Sequence, residues 1–128
     1  MSQKCVLVVE DDADTRTLLH YILEHRGFEV IEAEGAEAAL QILHERRPDL
    51  ILTDLMMPVM DGVELIHRLR LREELSDVPI VAMSAHSNDH LAKAYDHGAT
   101  AMISKPFDVI NLVNTLDGLL PKDAKVWH

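Results

Sequence analysis

The sequence predicts an α/β fold: one doubly wound, five-stranded parallel sheet with helices on both faces. Three observations predict it. Short apolar runs alternate with longer segments of helical periodicity along the whole chain. The segments are punctuated by Gly27, Pro48, Pro79, Gly98 and Pro106. Four of the apolar runs end on chemically distinct polar side chains. Strands alternating with helices in this way build parallel sheets through right-handed crossovers.

The first run, Val6-Leu7-Val8-Val9, meets Glu10-Asp11-Asp12. Residues 13 to 26 follow, with Leu18, Leu19, Ile22 and Leu23 at helical spacing, and stop at Gly27. Residues 29 to 33 read as a short strand whose charges suit a sheet edge. Residues 36 to 46 set Ala36, Ala39, Leu40 and Leu43 on one helical face. The third strand, 50 to 53, leads into Asp54 and a loop holding Met57-Pro58 and Asp61-Gly62. A third helix is expected over 63 to 74, with Leu65, Ile66 and Leu69 inward.

The fourth strand, 80 to 83, leads into Ser84. Ser87-Asn88-Asp89 can cap a fourth helix that ends at Gly98. The fifth strand, 101 to 104, leads into Lys105-Pro106. Pro106 marks the start of a fifth helix with Phe107, Ile110, Val113, Leu116 and Leu120 as its buried stripe. With the charged second strand at an edge the order becomes 2-1-3-4-5, the flavodoxin-like arrangement. Its switch point lies between strands 1 and 3, and open α/β sheets bind ligands there.

Bulk properties narrow the function. At 128 residues and 48% hydrophobic content, the chain is expected to be a single domain, 1–128, with a core over about 4–120 and a tail over 121–128. The net charge of −10 argues against nucleic acid as a partner and against anionic membranes. No apolar stretch approaches the roughly 20 residues of a membrane span. The amino terminus does not read as a signal peptide, and Cys5 alone cannot make an internal disulfide. A reducing, cytoplasmic setting is expected.

The polar strand ends make a coherent site. Carboxylates gathered at one edge repel one another, and a hard divalent cation such as Mg²⁺ relieves that conflict with oxygen ligands. Asp54 stands alone after a wholly apolar strand, so it is placed to attack phosphorus and form an acyl phosphate. Lys105 adds a positive charge and Ser84 a hydroxyl donor. Each residue also has a plainer reading. Acids after a strand cap helices, Asp54 alone fits a turn, and the Ser84 hydroxyl fits a cap. Lys105 is the exception, because a cation before a helix amino terminus opposes the macrodipole.

Val8-Val9-Glu10-Asp11-Asp12, Leu52-Thr53-Asp54 through Asp61-Gly62, Met83-Ser84-Ala85 and Ser104-Lys105-Pro106-Phe107 resemble the receiver domain of two-component response regulators. The resemblance spans about residues 4 to 120. It implies that Asp54 accepts a phosphoryl group from a phosphohistidine on a sensor histidine kinase or phosphotransfer protein. It implies Mg²⁺ held directly by Asp11, Asp54 and the backbone carbonyl of Met56, with Glu10 acting mainly through water. Ser84 and Lys105 would contact phosphoryl oxygens, and the Lys105–Pro106 bond would be cis. The domain would not be an enzyme acting on a separate substrate, although it assists its own phosphoryl transfer and autodephosphorylation. Phosphorylation would rearrange the face made by the fourth helix, fifth strand and fifth helix, where a downstream protein docks. Weak homodimers through the fourth helix also occur in such proteins, though no residue here argues for one.

Two departures from the family's pattern stand out. Three residues before the lysine, where an aromatic is usual, stands Met102. Met56 and His86 occupy the two positions that tune hydrolysis of the acyl phosphate. An apolar Met56 would hinder the attacking water and lengthen the phosphoryl lifetime. The eight histidines otherwise read as surface residues; His86 and His90, four apart, lack a third ligand at metal spacing.

Other readings remain at this level. Asp12-Ala13-Asp14-Thr15 resembles the opening of haloacid-dehalogenase-type phosphatases, with Asp12 as nucleophile. A nucleotide or flavin module would want glycines or hydroxyls after strand 1, where acids stand instead. A degenerate receiver serving only as an interaction surface is the third.

Overall fold

The computed structural model describes residues 3–85 and 88–120, with backbone alone over 88–91. Five strands and five helices alternate: β1 (Cys5–Val9), α1 (Ala13–His25), β2 (Glu29–Ala33), α2 (Ala36–Leu43), β3 (Leu50–Asp54), α3 (Gly62–Arg70), β4 (Ile80–Ser84), α4 (Asn88–Asp96), β5 (Ala101–Ser104) and α5 (Val109–Leu119). A single 3₁₀ turn, Glu73–Leu75, sits between α3 and β4. All strand pairs are parallel and the order is β2-β1-β3-β4-β5.

The two-residue period of the strands divides the core into two layers. Leu7, Val9, Ile51, Ile80 and Ala82 face α2, α3 and α4, whose Ala39, Leu65, Ile66, Leu69 and Ala94 cover them. Val6, Val8, Leu50, Leu52, Val81 and Met83 face α1 and α5, covered by Leu19, Leu23, Leu112 and Leu116. Every residue of β1, β3 and β4 is buried, whereas β2 is mostly half-exposed at the edge. Each fully buried Leu or Ile contributes roughly 1.5–3 kcal/mol relative to exposure, so these three strands anchor the site at their carboxyl ends. Cys5 is buried, and burial is the leading reason its thiol pKa is raised.

Several expected boundaries shift. On α1, Leu19 and Leu23 are buried but Leu18 is 49% exposed. The α2 helix stops at Leu43 rather than 46. The third helix ends at Arg70 rather than 74. Its guanidinium donates to the carbonyls of Leu75, Val78 and Gly98, which fold the chain back and send Leu75 inward from the 3₁₀ turn. The fifth helix starts at Val109, with Asp108 accepting a hydrogen bond from the Ile110 amide as its cap. That later start leaves Phe107 outside the helix. It turns Ile110 outward at 70% exposure and brings Leu112 into the buried stripe beside Val113 and Leu116. Trp127 and the expected tail over 121–128 lie outside the described residues.

Candidate phosphoacceptor and metal site

Topology sets the acids side by side. In the parallel register Val9 pairs with Thr53, so the residues that follow, Glu10 and Asp54, stand side by side at the switch point. One carboxylate oxygen from each of Glu10, Asp11 and Asp54 lies within 4.8 Å of the others. Glu10 and Asp54 are buried and Asp11 is exposed at the mouth. An all-carboxylate donor set of this kind suits a hard divalent cation such as Mg²⁺.

Lys105 closes the crevice from the far side of the sheet. Its Nζ donates to Glu10 Oε1 and to Asp54 Oδ2, each at 2.9 Å. Its own amide donates to the carbonyl of Ser84 at 2.9 Å, tying the ends of β4 and β5. The Lys105–Pro106 peptide is cis. Ser84 is buried at the end of β4, facing the same edge. An ammonium shared between two buried carboxylates answers why a cation stands before α5.

The electrostatics follow from burial. Burial pushes the Glu10 carboxyl up to about 7, and the hydrogen bonds from Lys105 and the Asp12 amide only partly oppose it; the Asp54 charge adds to the rise. Sequence reasoning credited mutual repulsion, but desolvation is the larger cause here. For Lys105, burial pulls the pKa down, yet the bonds to Glu10 and Asp54 outweigh it and hold the ammonium above its ordinary value.

The three acids after β1 do different jobs. Asp12 caps α1, accepting from the Thr15 amide at 2.9 Å and its hydroxyl at 2.6 Å. Thr15 thereby holds the Asp12 carboxyl below its usual value. The Asp12–Thr15 spacing that suggested a phosphatase nucleophile is thus occupied by a helix cap. Glu10 and Asp11 are left to the crevice.

Around Asp54 the backbone is close-packed. Met56 donates its amide to Asp54 Oδ1 at 3.1 Å, and its side chain is 43% exposed. A Cβ on Gly62 would stand 2.3 Å from the carbonyl oxygen of Asp54, so only glycine lets α3 begin against the end of β3. Met102 is half-buried on β5 and packs against the layer under α2, α3 and α4. His86 and the side chain of His90 lie outside the described residues.

Two supporting residues escaped sequence reasoning. Arg16 donates Nη1 to the carbonyl of Glu10 at 2.7 Å while its Nε reaches Glu32 on β2. Thr53, buried in β3, donates its hydroxyl to the Asp54 carbonyl at 3.0 Å. The Arg16 contact depends on the β1–β2 neighbourhood and carries no local motif. Gly62 had a signal, the Asp-Gly pair opening α3, but its reason is tertiary.

A buried acid pair, a third acid at the rim and a lysine at the switch point of a doubly wound sheet define a class of domains with a site suited to a divalent cation and an anionic group. The sequence profile of the response regulator receiver domain matches residues 6–117, and the chain belongs to that family. It is 37% identical over 121 residues to the phosphate regulon transcriptional regulatory protein PhoB of Pseudomonas aeruginosa, covering 94% of this chain and 53% of that protein. The chain therefore spans about half the length of that regulator. It is 30% identical to sporulation initiation phosphotransferase F of Bacillus subtilis, over 94% of this chain and 97% of that one. Among solved structures, chemotaxis response regulator CheY4 of Vibrio cholerae superposes with a TM-score of 0.87 at 29% identity, covering 92% of this chain and 99% of that chain. The receiver domain of a Pseudomonas aeruginosa sensor histidine kinase, solved with a magnesium ion in its active site cleft, gives a TM-score of 0.87 at 25% identity, over 94% and 100% of the two chains. No helix among the described residues is long and apolar enough to cross a membrane.

Proposed function

We propose that this receiver domain is phosphorylated on Asp54 by the phosphohistidine of a sensor histidine kinase or phosphotransfer protein, with Mg²⁺ as cofactor. The observation that supports this most is the bifurcated contact of Lys105 with Glu10 and Asp54 at the buried end of the crevice. A carboxylate oxygen of Asp54 attacks phosphorus, the P–N bond breaks, and the imidazole of the donor departs with the electron pair. Asp11, Asp54 and the Met56 carbonyl would hold Mg²⁺ directly and Glu10 mainly through water, and the ion would supply charge neutralisation for the transferring group. Lys105 offers its ammonium to the arriving oxygens, and Ser84 its hydroxyl. The arrangement positions reactants and asks for no further covalent work. The same residues let bound phosphate be hydrolysed in place, with Met56 and His86 as the neighbours that set the rate.

The chain serves here as one receiver domain, 1–128, with its core over about 4–120. Its output surface is the α4–β5–α5 face, where a downstream protein target docks and where Met102 takes the place of the usual aromatic. The decisive experiment is incubation with a small phosphodonor and Mg²⁺, followed by mass mapping. A phosphoryl group on Asp54, lost in Asp54→Asn and kept in Asp12→Asn, is the expected result. Labelling that survives Asp54→Asn and vanishes in Asp12→Asn would sink the reading.

A further inference from the structure

Two imidazoles meet on the surface seam between α3 and α4, away from the acids. His67 is exposed on α3, and His97 is exposed one residue past the end of α4. Their ring centroids lie 5.3 Å apart with the planes at 82°. The His97 ring is oriented by its own helix, because Nδ1 sits 2.8 Å from the carbonyl oxygen of Lys93. A carbonyl oxygen only accepts, so Nδ1 carries the proton and Nε2 carries the lone pair. Metal-binding histidines are commonly prepared in this way, with the second ring nitrogen donating to a carbonyl.

The backbone beside His97 is also held. Arg70 of α3 donates Nε to the Gly98 carbonyl at 2.9 Å and Nη2 to the Thr100 hydroxyl at 3.3 Å. Gly98 sits at φ +116°, and a Cβ there would come 2.5 Å from the Arg70 side chain. His97 thus rides on a turn locked to the helix that bears His67. The spacing fits shared coordination: two imidazoles on one tetrahedral ion, each at about 2.0–2.1 Å, place their ring centroids roughly 5 Å apart.

We propose that His67 and His97 form a two-imidazole site for a borderline divalent transition ion of the Zn²⁺, Ni²⁺ or Cu²⁺ class, which ties α3 to α4. Water completes the coordination, because the three-residue cluster found among the described residues is the acidic one, Glu10, Asp11 and Asp54. The two sites differ in chemistry. Nitrogen donors select transition ions, whereas the all-oxygen crevice selects Mg²⁺. An edge-to-face contact of two neutral rings would give the same angle without any ion, and titration separates the two.

The test is calorimetric titration of the full chain with Ni²⁺, with excess Mg²⁺ present to fill the acidic crevice. Histidine Hε1 resonances are followed in parallel. One ion binds per chain, and the resonances of His67 and His97 move first. His67→Ala and His97→Ala each weaken binding by about tenfold or more, while His25→Ala and His44→Ala leave it unchanged. His67→Gln and His97→Gln repeat the loss, with thermal melts verifying the fold of every variant. A parent that binds no Ni²⁺ overturns the proposal in favour of a ring contact only. Binding retained in the His67→Ala/His97→Ala double variant overturns it in favour of other histidines.

Discussion

Glu10 is a buried acid whose natural state depends on what shares its crevice. Its folded pKa, raised to about 7 from 4.5, means that the folded chain holds the proton more tightly than the unfolded one. The contribution of Glu10 to metal-free stability is therefore fully present below the unfolded value and is lost as pH rises through about 7. Melting of the Mg²⁺-free protein is expected to drop in temperature between about pH 6 and about pH 8, and Glu10→Gln flattens that drop. Added Mg²⁺ raises the melting temperature more at the higher pH, where the carboxylate is ionised and in need of a counter-ion. Equal Mg²⁺ shifts at both values would contradict this account. Met56 carries a second expectation at this scale. Its amide holds Asp54 Oδ1 and its side chain is partly exposed, so on the proposed reading that apolar side chain would hinder water attacking the acyl phosphate. Met56→Asn should speed phospho-Asp54 decay by roughly three- to tenfold, about 1 kcal/mol of barrier. Slower decay in the variant, timed by loss of label, would refute it.

At the scale of elements, the approach of α3 to the end of β3 is the tightest joint in the site. Gly62 donates its amide to the Leu55 carbonyl at 2.9 Å, and any Cβ would collide with the backbone of Asp54 and Leu55. Gly62→Ala should cost roughly 1–3 kcal/mol of stability by forcing the two backbones apart, and should displace Asp54 so that phospholabelling falls as well. Chemical denaturation and the labelling assay read the two effects separately. The elements also show where sequence reasoning succeeds. The apolar runs of β1, β3 and β4 were legible because burial on both faces confines polar residues to the carboxyl ends, Thr53 and Asp54 on β3 and Ser84 on β4. Helix ends were less legible. Arg70 ends α3 by reaching carbonyls up to 28 residues away, and no local propensity reports that. The start of α5 was misplaced because Pro106 suits a first helical turn, while Asp108 proves the better cap.

Across the whole molecule, the acids, Asp54, Ser84 and Lys105 could be read as one site because strand order alone brings strand ends together. What the sequence could not show was the partition of labour among Glu10, Asp11 and Asp12, since three adjacent acids look alike until Thr15 claims one of them. The supporting reach of Arg16 was hidden for the same reason: it joins α1, β1 and β2 only after folding. Both core layers hang from one sheet, and Leu52 lies at its centre on β3, fully buried. Leu52→Ala should lower stability by about 2–5 kcal/mol. Circular dichroism of the helices and the Mg²⁺-dependent melting shift should disappear together in urea, since one sheet serves both. Separate transitions would show that the two faces unfold independently.

The partners of Lys105 carry a last consequence. Its contact with Glu10 spans 95 positions of chain, so the acid that follows β1 depends on the end of β5 for neutrality. During synthesis Glu10, Asp11 and Asp54 emerge well ahead of the Lys105 ammonium that faces them. A nascent or clipped chain that stops short of β5 carries these acids without Lys105, and ions drawn from solution must take its place.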